Sequence, residues 1–284
     1  MVEPASYHSL YRQGQVLLAS GGCQSYLFET DQLFYACFGK RRHDLPHIGR
    51  ELAPPAQTER FLELCGKRAM GEPLQYLLGE WDFYGLTFSV GPGVLIPRPD
   101  TEVLVETAAS LVEELPTPEI VDLCSGSGCV AAALANLLPS PKITAVESSV
   151  EAMVYLQKNL TRHGQGCCTP VLMDLREYRH PVPLDLVVAN PPYIPSEDIA
   201  GLQKEVRKEP LMALDGGETG LDFYNCIACG YWDQLRPGGA LCVEIGIGQA
   251  ELVEEILLGH DYCNIGFARD LGGIQRVVWG FRPA

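Results

Sequence analysis

The chain has 284 residues, of which 46% are hydrophobic, 20% charged and 8% aromatic. This is room for about two domains with buried cores, and it excludes a wholly disordered chain. The formal charge is −15, concentrated in residues 98–284 with 13 basic and 26 acidic side chains, so a polyanion such as DNA or RNA is not expected as a direct partner.

Met1-Val2-Glu3-Pro4 has neither the basic nor the apolar region of an export signal. The apolar run Val130–Leu138 is too short to span a bilayer and contains Asn136. The 11 cysteines are odd in number and irregular in spacing. Cys226-x-x-Cys229 and the adjacent Cys167 and Cys168 lack the second pair that a zinc site needs. The expectation is a cytoplasmic protein with no metal and no membrane contact, its reduced thiols serving as small core hydrophobes.

From Tyr7 to about Leu78 the apolar period is helical, with Leu27–Phe38 as a buried helix and Phe61, Leu62, Cys65 and Ala69 on one face. Gly71 and Pro73 supply a stop. Lys40-Arg41-Arg42-His43 is read as a solvated loop. From Trp81 to Val90 the period changes to two, and Tyr84-Gly85 makes the turn of a β-hairpin. Gly91-Pro92-Gly93 and Pro97-Arg98-Pro99 follow as rigid connectors. The expected organisation is a helical domain over 1–78, a hairpin linker over 79–97 and a second domain over 98–284.

That second domain opens with a helix capped by Asp100 or Thr101, burying Leu104, Ala108, Leu111, Val112 and Leu115. Seven strand segments follow, at Glu119–Cys124, Lys142–Glu147, Thr169–Met173, Leu184–Ala189, Ala240–Ile245, Ile265–Arg269 and Arg276–Phe281. Helical segments lie between them at about Cys129–Leu138, Val150–His163, Leu221–Leu235 and Ala250–Leu258. Strands alternating with helices make an α/β fold, a mostly parallel sheet that binds ligands beyond the carboxyl ends of its strands.

Four loops lie at such ends. In Asp122-Leu123-Cys124-Ser125-Gly126-Ser127-Gly128, two glycines clear side chains from a strand-to-helix turn, for a ligand or for tight packing. Ala131 stands where a dinucleotide fingerprint has its third glycine. Glu147 ends the next strand, where a carboxylate accepts both hydroxyls of a ribose or serves as a solvated acid near a helix start. Asp174-Leu175 could receive an exocyclic amine. The fourth loop is the most informative.

Leu184–Ala189 runs straight into Asn190-Pro191-Pro192-Tyr193. The prolines fix two φ angles and remove two N–H donors, leaving carbonyl acceptors beside the Asn190 side-chain oxygen. With the flat Tyr193 ring, the tetrapeptide suits a planar NH₂ group. A plain Pro-rich turn is the alternative.

The Asp-x-x-x-Gly-x-Gly loop, the acid after the second strand and Asn190-Pro191-Pro192-Tyr193 resemble class I S-adenosylmethionine-dependent methyltransferases of amino or amide nitrogens. More narrowly the chain resembles the HemK/PrmC family, through Gly71–Gly79, the hairpin Trp81–Val90, Val94–Glu102, Val206-Arg207-Lys208-Glu209-Pro210 and Ala213-Leu214. The resemblance spans about Leu10 to Phe281. It implies a Rossmann-like seven-stranded sheet, a small N-terminal helical domain and a monomer that methylates the glutamine amide in the Gly-Gly-Gln motif of class 1 peptide-chain release factors. By position it implies that Cys124, Ser125, Gly126, Ser127, Gly128, Glu147, Asp174, Leu175 and Asn190 contact S-adenosylmethionine. Asn190, Pro191, Pro192 and Tyr193 would hold the glutamine and carry the catalysis. Cys124 departs from the usual glycine, and Leu175 from a frequent aromatic.

Two other classes compete. A nucleic-acid amino-methyltransferase would use the same tetrapeptide on a flipped base, but the acidic second half opposes it. A non-catalytic scaffold would not need Gly126, Gly128, Glu147 and the tetrapeptide together. The N-terminal helices are read as the docking surface for a protein substrate.

Overall fold

The computed structural model describes residues 5–284, and the Met1-Val2-Glu3-Pro4 segment read for an export signal lies outside them. The chain divides into two units, one reaching Gly79 and including Gln203–Lys208, the other formed by Glu80–Leu202 and Glu209–Ala284.

The first unit contains α1 (Tyr7–Ser20), α2 (Tyr26–Phe38), α3 (Leu45–Ile48), α4 (Pro55–Ala69) and α5 (Leu74–Leu78). Its core is aromatic: Phe34 lies 5.2 Å from Tyr11 and 5.5 Å from Phe61, both edge-on. Gly14 lets α1 approach α4, since a Cβ there would sit 2.6 Å from the Phe61 ring. Arg68 is buried and donates to both Glu29 oxygens, at 2.7 and 3.1 Å. Its remaining reach goes to Glu205 at 3.0 Å, while Lys208 donates to Glu72 at 3.1 Å. Gln203–Lys208 thus belongs to the helices by ion pairing, although it lies in sequence beyond the Asn-Pro-Pro-Tyr loop. No local pattern announced this.

The second unit begins with the hairpin β1 (Glu80–Phe83) and β2 (Leu86–Ser89), then α6 (Thr101–Ser110). After these come β3 (Glu119–Leu123), α7 (Cys129–Leu137), β4 (Lys142–Glu147), α8 (Val150–His163), β5 (Cys168–Leu172) and β6 (Leu184–Ala189). The chain finishes with α9 (Asp222–Tyr231), β7 (Leu235–Glu244), α10 (Ala250–Gly259), β8 (Cys263–Arg269) and β9 (Gln275–Phe281). The seven-stranded sheet has the order β5-β4-β3-β6-β7-β9-β8. Strands β5 to β7 are parallel, and β9 pairs antiparallel with both neighbours. The order reverses between β3 and β6, which opens a crevice at their carboxyl ends.

Side-chain alternation builds a core on each face. Ile120, Leu186 and Val188 pack with α6, α7 and α8, whereas Val121, Val187 and Ala189 pack with α9 and α10. Burial on both faces is why β6 is apolar throughout except at the buried Asp185, which pairs with Arg236 at 2.7 Å. The helix expected to extend to Leu115 ends at Ser110, and tight turns carry the chain onward. Of the cysteines, only Cys23, Cys37, Cys65, Cys129 and Cys242 are buried, so the core-hydrophobe reading fits five. Cys229 is exposed.

The hairpin expected as a linker is instead part of the second core. Its turn has φ 50° at Tyr84 and 72° at Gly85, the two left-handed residues of a tight two-residue connection. Phe83 and Phe88 are buried among residues of α6, α7 and α8, because large rings at alternating positions need a face to pack on. Asn159 of α8 is fully buried and closes the joint. It accepts from Ser89 N–H at 2.8 Å, and its Nδ2 donates to the carbonyls of Ser89 at 3.0 Å and Ser127 at 2.9 Å. Asn159→Ala leaves three buried backbone groups without partners and is expected to cost about 3–5 kcal/mol, read as a lower urea midpoint.

Candidate active site

The crevice holds a cavity of about 690 Å³, lined by the ends of β3, β4 and β6, the loop after β5, and residues 93–98 and 210–217. From the glycine loop, Cys124, Ser125, Gly126 and Ser127 reach it. Cys124 has φ 56°, a left-handed value for which glycine is free of strain. Burial, and next the charge of Glu147, pushes its thiol well above the ordinary value, so it presents a neutral surface. Gly126 faces open space, where an added Cβ would find nothing nearer than the Cys124 carbonyl at 3.9 Å. Gly128 is different. A Cβ there would lie 2.6 Å from Leu156, so this glycine serves strand–helix packing and does not line the cavity.

Glu147 is buried and held by two backbone donors, Gly126 N–H on Oε2 and Ser149 N–H on Oε1, each at 2.8 Å. Each oxygen keeps a further acceptor site. Asp122, which sequence reasoning treated only as part of the loop, also lines the cavity. Burial pushes its carboxyl up to about 7, with the Glu147 charge adding to the rise, and its Oδ2 has no hydrogen-bond partner among the described residues. Asp174 sits half-exposed at the rim, accepting from Arg176 N–H at 2.8 Å and pairing with its guanidinium at 3.2 Å. Leu175 is buried and lines the floor. The lining is acidic, and its two arginines, Arg98 and Arg176, are paired with Glu209 and Asp174. Such a wall favours a cationic ligand.

Asn190 and Pro192 line the cavity; Pro191 lies beside them in the loop. Asn190 Nδ2 donates to Thr101 Oγ1 at 3.1 Å. Tyr193 does not line the cavity. Its hydroxyl donates to Glu244 at 3.3 Å, and burial, then the Glu244 charge, pushes it above the ordinary phenol value. The loop is braced from behind: Gln249 Nε2 donates to the Tyr193 carbonyl at 2.9 Å and Ile194 N–H to Leu214 at 3.0 Å. Gly216 is obligatory there, since a Cβ would lie 2.8 Å from the Pro192 carbonyl.

The Ile96–Glu102 segment acts as scaffold. Ile96 N–H donates to the buried Glu209 carboxylate at 3.0 Å, and Arg98 pairs with the same group. Glu102 accepts the Tyr84 N–H at 3.0 Å, tying the hairpin. Asp100 does not cap α6 through its side chain as expected, because its carboxylate is drawn to Arg276 at 2.9 Å. Thr101, read from the sequence only as a helix cap, and Glu244, read only as a strand residue, both touch the tetrapeptide; these contacts come from distant parts of the chain and leave no local signal.

Residues 9–79 match the PrmC N-terminal domain model and residues 100–208 the methyltransferase small domain model. The release factor glutamine methyltransferase of Geobacter sulfurreducens is 42% identical over 270 residues, 93% of this chain and 92% of that protein. Its counterpart from Moorella thermoacetica is 40% identical over 268 residues, 93% and 94% of the two chains. Among solved structures, the hMettl16 catalytic domain in complex with MAT2A 3′UTR hairpin 6 superposes with a TM-score of 0.59 at 14% identity, over 82% of this chain and 85% of that one. A methyltransferase from Pyrococcus furiosus gives 0.52 at 15%, over 81% and 99%. These two likenesses show the fold alone.

Proposed function

The chain belongs to the release factor glutamine methyltransferase family, and we propose that its cavity brings S-adenosylmethionine together with the Gly-Gly-Gln glutamine of a class 1 release factor. The activity is methyl transfer to the side-chain amide nitrogen of glutamine. The observation that carries the assignment to this cavity is Asn190 at the end of β6, its Nδ2 already engaged and its Oδ1 available, beside an acidic crevice.

The residues present fit the cofactor. A sulfonium and an ammonium suit the acidic wall, two ribose hydroxyls suit the anchored Glu147, and open space at Gly126 admits close approach to the backbone. When bound, S-adenosylmethionine supplies a methyl group activated by positively charged sulfur. Leu175 would support the adenine from the floor, with Asp174 near its amine. No direct nucleic-acid contact is required, and the exposed Leu211 and Met212 at the cavity wall offer an apolar surface to a protein. The N-terminal helical unit is the proposed docking surface for the release factor.

An amide nitrogen is a weak nucleophile because its lone pair is delocalised into the carbonyl. Asn190 Oδ1 and the Pro191 carbonyl would accept its two hydrogens, concentrating density on nitrogen and fixing its direction. Pro191 and Pro192 contribute no competing N–H. Holding both reactants in line supplies up to about 7–11 kcal/mol of the barrier reduction. With the amide so held, the bound cofactor would supply the methyl carbon and accept the carbon–sulfur bonding pair on sulfur, and the surplus proton of the amide nitrogen would leave to water without a general base.

Incubation with a release factor and methyl-labelled S-adenosylmethionine, followed by mass spectrometry, tests the reading. One labelled methyl on the Gly-Gly-Gln glutamine is expected. Label on another residue or on nucleic acid would refute it.

Cofactor affinity is expected to depend on pH through Asp122. In the folded chain this carboxyl titrates near 7, against 3.8 for an ordinary aspartate. Its contribution to folding stability is therefore full at low pH and is lost as pH rises through that window. Binding has the opposite sign. A cationic ligand favours the ionised form, so calorimetry should show S-adenosylmethionine affinity rising through pH 7 and then levelling. S-adenosylhomocysteine, without the sulfonium charge, should show a smaller step.

A further inference from the structure

A carboxamide has two ends of similar size and opposite character, an accepting Oδ1 and a donating Nδ2. Methyl transfer as read above needs the Asn190 oxygen toward the substrate amine, since the reversed side chain would aim N–H at N–H. Nothing in Asn190-Pro191-Pro192-Tyr193 selects the orientation. Thr101, the first residue of α6, is 2% exposed, and its Oγ1 accepts from Asn190 Nδ2 at 3.1 Å. Behind it stands Glu244 at the end of β7, also 2% exposed, whose carboxyl neighbours the Thr101 hydroxyl and whose Oε1 accepts from the Tyr193 hydroxyl at 3.3 Å.

The polarity of this chain of contacts runs one way. Burial pushes the Glu244 carboxyl up to about 7; its ionised form only accepts, so in that form the single hydroxyl hydrogen of Thr101 points to Glu244. The lone pairs of Thr101 are then left for Asn190 Nδ2, and the amide oxygen faces the cavity. We propose that Thr101, polarised by Glu244, is the positioning residue that fixes the orientation of Asn190. The same carboxylate holds Tyr193, so one buried acid governs both ends of the tetrapeptide. Glu244 Oε2 has no partner among the described residues. An incompletely satisfied acid in a dry core costs stability, which makes it a poor choice for packing alone. Low local dielectric strengthens each link.

The inference rests on the reading of Asn190 as the group that holds the substrate amide, so the two are tested side by side. Thr101→Val keeps the shape and removes the hydroxyl. It is expected to lower kcat about 10–100-fold, the usual cost of losing a residue that orients a functional group. KM for the release factor and Kd for S-adenosylmethionine should change less than about twofold, and Thr101→Ser should recover most of kcat. Asn190→Ala is measured in parallel. If it loses turnover while Thr101→Val keeps it, the positioning role is overturned and the reading of Asn190 stands. If Asn190→Ala keeps turnover, that reading fails and this inference falls with it. Should circular dichroism show Thr101→Val unfolded, Thr101→Ala and Thr101→Ser decide. An active serine with an inactive alanine variant supports the role, and equal kcat refutes it.

Discussion

Asn190→Ala is expected to lower kcat on a release factor by about 10²–10³-fold, the loss seen when one preorganised hydrogen-bonding group is removed from a transition state. The side chain projects from the end of β6 into the cavity, and its Nδ2 is spent on Thr101. Oδ1 is the acceptor left for a ligand, so the effect is expected on the substrate amide. S-adenosylmethionine Kd, by calorimetry, should move by less than about threefold, which separates a catalytic role from the cofactor contact that the family resemblance also assigns to Asn190. A large change in Kd with little change in kcat would place Asn190 on the cofactor instead. Because the residue is only half-buried and its loop is braced by Gln249 and Leu214, the variant is expected to fold.

Glu147→Ala is expected to weaken S-adenosylmethionine binding by about 10²-fold or more, on the basis of two charge-assisted hydrogen bonds worth about 1.5–3 kcal/mol each. The loss has two sources. The ribose hydroxyls lose their acceptor, and the Gly126 and Ser149 N–H groups lose the carboxylate that sets the shape of the loop. Glu147→Gln tests the second source. Both oxygens receive backbone N–H donors at 2.8 Å, so one end of a glutamine would turn NH₂ toward N–H. This replacement of similar shape is therefore expected to cost nearly as much as alanine. A glutamine variant with wild-type Kd would show that the backbone contacts are incidental, and an alanine variant with wild-type Kd would remove Glu147 from the cofactor site.

The parts of this site that were legible in the sequence are those with a short-range cause. A buried parallel strand must be apolar on both faces, so Leu184–Ala189 was recognisable and coincides with β6. Val150–His163 shows a clean helical period and coincides with α8. Gly126 faces open space in the cavity while Gly128 packs against Leu156, although both glycines look alike in the chain. Tyr193 was expected to offer its ring, yet its hydroxyl is drawn to Glu244 and the residue does not line the cavity. The hairpin looked like a connector because alternation reveals one apolar face but not what covers it. Phe83, Phe88 and Asn159 show the cover to be the catalytic unit's own helices.

The sequence by itself determined the α/β class, the bounds of β4 and β6 and the short loops that line the cavity, because φ restrictions and apolar periodicity act over a few residues. Tertiary structure alone decided how those groups are tuned. The closeness of Thr101, Asn190 and Glu244 depends on which strands and helices lie side by side, as does the burial that raises Asp122 toward neutrality. Sheet order, not local propensity, brings residues far apart in the chain within hydrogen-bond distance, and desolvation exists only once the core has closed around them.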